Sequence, residues 1–228
     1  LIAAQANLLV EYVGDFEGAN ALLQEKHRLA KQHGLIWDFL LTYLEYANLL
    51  RRQRRYEEAQ ESLEYFLHVT SEGELYIKSI KDTSRQGGRI ADLALMARLC
   101  VRCGDVESAE VYLHQANELA RAWPPETFAF DLAWAEAALL AERKEDTEKA
   151  KAGYRLALEW PPLFTVLKMN HEDEPRAECM LDLGRFLASQ GQKSEAREVL
   201  NSALAIFTSR SMKPLEREAN EVLKSLDP

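Results

Sequence analysis

An alanine preceded five residues earlier by glycine or a polar residue returns five times along the chain: Gly14 to Ala19, Arg54 to Ala59, Gly104 to Ala109, Glu145 to Ala150 and Gly191 to Ala196. Successive alanines are 40, 50, 41 and 46 residues apart. An internal period of this size marks a helical repeat array, because a single helix-turn-helix unit cannot bury its apolar face alone and must stack on the next. The predicted fold class is therefore all-α, an elongated stack whose remaining surface is available for binding.

Aligning the units on their alanines gives the spacing a physical reason. Twelve residues earlier stand Asn7, Ala47, Ala97, Ala138 and Gly184, four of them small, as two closely crossing helices require. Four residues later stand Leu23, Leu63, Leu113, Tyr154 and Leu200, all large and apolar, to fill the core beside the crossing. Leu40, Tyr43, Leu44, Ala47 and Leu50 recur at three- and four-residue steps and form one helical stripe, and Tyr56, Ala59, Leu63 and Phe66 form the facing one. Glycines and prolines are few and are expected at joints: Gln86-Gly87-Gly88, Trp123-Pro124-Pro125 and Trp160-Pro161-Pro162.

The 37 acidic and 28 basic residues leave a net charge of −9, which repels phosphate backbones and anionic lipid, so no direct nucleic-acid partner and no membrane partner are expected. No run approaches the roughly 18 apolar residues of a membrane span. Three cysteines make no disulfide framework and fit a reducing, cytoplasmic setting. The chain opens without methionine on an apolar helical pattern, Leu1, Ala4 and Leu8, as a fragment of a longer protein would.

The turn segments Gly14-Asp15-Phe16-Glu17-Gly18-Ala19, Arg54-Arg55-Tyr56-Glu57-Glu58-Ala59 and Gly104-Asp105-Val106-Glu107-Ser108-Ala109, with Gly191 through Ala196, resemble the tetratricopeptide repeat (TPR) family. Glu145 through Ala150 matches least well. The resemblance implies antiparallel helix pairs wound into an α-solenoid, a right-handed superhelix: units at about 1–34, 35–70, 88–123, 126–160 and 174–210, with a capping helix over 213–226. The intervals exceed the family's unit of about 34 residues, as in the longer repeats behind the nucleotide-binding domains of signal-transduction ATPases. The tail, Leu181 to Leu187 and then Pro214-Leu215-Glu216-Arg217-Glu218-Ala219, looks like the end of such a regulator. Segment 71–88 is expected to extend a helix or add a short one, and segment 161–174 to form an ordered loop.

Catalytic signatures are weak. Cys100-x-x-Cys103 has no second pair to complete four ligands, and Cys100 falls on the core stripe. The five histidines, His27, His33, His68, His114 and His171, have no metal-ligand spacing and read as solvated helix surface. Neither a phosphate loop nor a nucleophile elbow occurs. No cofactor, no metal and no enzymatic activity are expected. The two Trp-Pro-Pro motifs read as structural punctuation, each ring packing over a turn.

The sharper candidate is a stripe at eleven and seven residues before the repeat alanine, positions four apart and so on one helix face. It holds Asn48, Arg52, Arg98, Arg102, Arg143 and Arg185. Arginine forks and an amide suit the carboxylates or backbone of an extended peptide. The competing reading is intramolecular neutralisation by Glu45, Glu136 and Asp182. Arg51-Arg52-Gln53-Arg54-Arg55 reads as a solvated helix end. The expected function is a non-catalytic scaffold binding a protein or an acidic peptide on its concave surface. The alternative is the effector-sensing region of a larger signalling ATPase or transcription regulator. The apolar first helix is also free to pair with a second copy of the chain.

Overall fold

The computed structural model describes residues 2–71, 83–144, 146–162 and 173–227. Most of segments 71–88 and 161–174, together with Leu1, Glu145 and His171, lies outside the described residues. Those described form eleven α-helices and one π-helical turn, with no strand among them. The order is α1 (Ile2–Leu8), the π-turn (Leu9–Val13), α2 (Phe16–Gln32), α3 (Ile36–Arg52), α4 (Tyr56–Thr70), α5 (Thr83–Arg102) and α6 (Val106–Ala120). It continues with α7 (Ala129–Arg143), α8 (Thr147–Glu159), α9 (Asp173–Ser189), α10 (Lys193–Ser209) and α11 (Lys213–Ser225). Each helix packs against the next in sequence; α5 also packs on α7, and α9 on α11.

The five repeat alanines are all fully buried, each in the helix that follows a tight turn. Their large partners Leu23, Leu63, Leu113, Tyr154 and Leu200 are buried too. In the last of these pairs the crossing is closest: a Cβ added to Gly184 of α9 would lie 2.5 Å from Cγ of Leu200 in α10. The residue five before the alanine takes the left-handed conformation that ends a helix and reverses the chain, at Gly14, Arg54, Gly104 and Gly191. Before Ala150 the left-handed residue is Lys144, one position earlier, so the weakest motif carries a shifted turn. Aspartates one or two residues past three of these turns cap the next helix. Asp15, Asp105 and Asp146 accept from the backbone N–H of Gly18, Ser108 and Lys149 at 2.8, 3.0 and 2.9 Å.

The apolar interior forms three clusters, one under α1 to α3, one from α3 to α7 and one from α7 to α11. The first and last turns approach each other, since a Cβ on Gly14 would stand 3.4 Å from the Ser211 carbonyl oxygen.

Three local expectations are corrected. Gly87 and Gly88 do not form a joint; they lie within α5, where a Cβ on Gly87 would meet Phe128 at 3.4 Å and Trp123 at 3.8 Å. The Trp123 ring does pack over its turn, edge-on to Phe128 at 5.5 Å, whereas Trp160 stays exposed. His27 is not on open helix surface: it is half-buried and packs against the Phe39–Tyr43 pair, its Nδ1 3.0 Å from the Thr42 hydroxyl, and burial lowers its pKa.

Gly104 and Gly184 separate two costs of adding one methyl group. Nothing approaches a Cβ at Gly104, whose φ is +80°, so Gly104→Ala should cost about 1 kcal/mol through backbone strain alone. Gly184→Ala must displace Leu200 from a full core and should cost about 2 kcal/mol or more. Urea melts check this, and equal costs would contradict the assigned crossing.

Candidate functional site

Four of the six stripe residues converge on one charged seam. Arg52 closes α3 and donates from Nε and Nη2 to the two oxygens of Glu174 in α9, both at 2.6 Å, a planar fork-to-fork pair. Arg102 closes α5 and pairs with Asp182 of α9 and, at 3.2 Å, with Glu218 of α11. Arg185 of α9 reaches the same Glu218 at 2.8 Å. Arg98, one turn before Arg102, lies with its guanidinium carbon 3.5 Å from the centre of the Trp134 ring.

The other two stand apart. Asn48 donates back to the Leu44 carbonyl of its own helix at 3.1 Å. Arg143 pairs with Glu110 of α6. Neutralisation does occur, though mostly through carboxylates other than those expected. Asp182 takes part, whereas Glu45 pairs with Lys26 at 2.6 Å and Glu136 with Lys149 at 3.0 Å.

The seam also holds residues that sequence reasoning missed. Arg51 and Arg52 are not a solvated helix end: their side chains are 14% and 11% exposed, and Arg51 pairs with Glu178 and Glu174. Arg54 reaches Glu218 at 3.1 Å, and only Arg55 of that cluster keeps to an exposed local pair, with Glu58. Glu218 is thus a hub, with a side chain 4% exposed that gathers Arg54, Arg102 and Arg185. One signal was available, since Glu174, Glu178 and Asp182 stand four residues apart on a single helix face.

Burial and pairing set the protonation of these groups. Burial is the largest single influence on Arg102 and works against its charge, but Asp182 together with Tyr56 and Glu218 outweighs it and the pKa rises; for Arg51, Glu178 and Glu174 together do the same. Burial prevails at Arg98, whose pKa is lowered although Asp131 opposes the shift. Asp182 is raised by burial, while Arg102 and a 2.9 Å bond from Trp134 Nε1 pull it back. Cys100 is a buried core thiol, its pKa pushed up to about 12 by burial, and Cys103 is also unoxidised. Among the described residues no group of three or more His, Cys, Asp or Glu side chains is placed to hold a metal ion.

Fold and site together define an all-α protein of packed helix pairs, closed across its interior by arginine–carboxylate pairs. No family model matches the chain, and no curated protein matches it. Among solved structures, it is similar to the crystal structure of BtubC (BKLC) from P. vanneervenii, at 18% identity and a TM-score of 0.49, over 92% of this chain and 82% of that one. No helix of the described residues is long and apolar enough to cross a membrane.

Removing Glu218 leaves three arginines short of an acceptor. Glu218→Ala should therefore cost about 3 kcal/mol, while Glu221→Ala, at a side chain 66% exposed, should stay within about 0.5 kcal/mol. Equal effects in chemical denaturation would remove Glu218 from its central place.

Asp92, on α5 two turns before the seam, has its carboxyl pushed up to about 7 by burial, against Arg89 and with Asp131 adding to the rise. Its pKa lies above the unfolded value of about 4, so the fold holds a proton that the unfolded chain has released. This stability is present below about pH 4 and is lost as pH rises towards 7. Asp92→Asn should consequently gain on the wild type as pH climbs from about 5 to 8. A constant difference in melting temperature across that range would refute the shift.

Proposed function

We propose that the chain is a tetratricopeptide-like α-solenoid of five helix pairs and a capping helix, acting as a non-catalytic scaffold that binds a protein or peptide on its concave surface. The observation that carries the repeat reading is the recurrence of one fully buried alanine in the second helix of each pair, against a large buried side chain. Conserving one packing device over five pairs makes a frame, and a frame of helix pairs leaves its binding to the residues along the inner helices.

Those residues are basic. Arg102 and Arg185 already satisfy carboxylates of the chain itself, so an acidic partner segment would exchange with Asp182 and Glu218 rather than meet bare charge. Arg185 and Arg143 are the most accessible of the candidate arginines, with side chains 44% and 33% exposed, and are the first contacts such a partner would make. Leu8 and Val13 are exposed near the first turn, which supports pairing with a second copy there.

Anisotropy titrations with fluorescent acidic peptides test the reading. Arg185→Glu and Arg143→Glu together should weaken binding by about tenfold or more, with neutral peptides of equal length binding little. Unchanged affinity in the double variant would overturn the inner face as the contact surface.

A further inference from the structure

Arg98 differs from its neighbours in the seam. Arg51, Arg52, Arg54, Arg102 and Arg185 each donate to carboxylates, yet Nε and Nη1 of Arg98 are buried without an acceptor. Asp131 is the carboxylate that acts on Arg98 most strongly, yet it accepts from neither atom, and Asp182 receives Arg102 on one oxygen and the Trp134 indole on the other. A buried donor on a charged group is costly to leave unbonded, and folded proteins seldom do so. The Trp134 stack supports the guanidinium plane, but no hydrogen bond fixes it, so a turn of the fork breaks none.

The same arginine lines a cleft of about 560 Å³ between α5, α7, α8 and α9. Arg102 and Arg185 stand beside it, and Val101, Ala138 and Phe186 supply apolar wall. Asp182 and Glu142 also face the space and offset two of its four cations, Arg98, Arg102, Lys144 and Arg185, so that a singly charged carboxylate meets less repulsion there than a doubly charged phosphate. An apolar wall with one planar, unsatisfied cationic fork is the arrangement expected of a small-molecule site.

We propose that this cleft binds a small organic carboxylate, its head group accepting from Arg98 and its apolar body lying along Val101, Ala138 and Phe186. The site shares Arg102 and Arg185 with the surface proposed for an acidic partner, but its contact with Arg98 does not rest on that reading.

Titration calorimetry with sodium hexanoate, and separately with inorganic phosphate, tests the site on the full chain. Hexanoate should bind in the millimolar range and more tightly than phosphate. Arg98→Met keeps a straight apolar stem over Trp134 and removes the donors; it should weaken hexanoate by about tenfold or more. Ala141→Phe fills the mouth while leaving Arg98 in place, and should abolish binding even if Arg98→Met fails to fold. Absence of hexanoate binding, tighter binding of phosphate, or hexanoate affinity unchanged in Ala141→Phe would each overturn the proposal.

Discussion

Close approach of helix to helix is the constraint on which this fold depends. Two helices approach closely where small side chains face large ones, and each pair from α2 to α10 meets at a fully buried alanine. At Gly184 even a methyl group would collide with Leu200. The left-handed turn five residues before the alanine follows from the same demand, because the chain must reverse at once if the second helix is to return along the first. Where that turn shifts to Lys144, the backbone bears a left-handed residue with a side chain.

The charged seam is a consequence of that packing. The two larger apolar clusters both reach Val101, one turn from Arg98 and next to Arg102. The arginines thus leave the core where the clusters meet, and carboxylates of α9 and α11 meet them there. Taking so many ions from water costs about as much as their attraction returns, so the seam adds little net stability. It acts by selection, because any slip of α3 against α9 would leave Arg52 and Glu174 buried without each other.

Much of this was legible in the sequence because its causes are local. Helix type, the buried alanines and their large partners all depend on residues within about one helix pair, and periodicity reports them directly. The stripe residues were placed on their helices, but their partners were not, since Arg52 and Glu174 are 122 residues apart and no local pattern encodes such a pairing. The same limit explains Gly87, which read as a joint. Its reason is Phe128 and Trp123, about 40 residues further on, occupying the space a side chain would need. His27 was misplaced because its aromatic neighbours come from the following helix.

Arg98 shows how the two levels combine into chemistry. Its position on the core-facing side of α5 is set by helical period, its support by Trp134 is set by the packing of α7 on α5, and two of its donors are buried without an acceptor although Asp131 lies within its electrostatic reach. Each step is ordinary, but their sum is a cation held at the edge of a cleft that is part apolar and part charged, with two donors unused. Elsewhere in the seam, the chain supplies its own carboxylates and closes the surface. At Arg98 it supplies an aromatic face instead, which supports the guanidinium plane and leaves its hydrogen bonds to be made by something that enters.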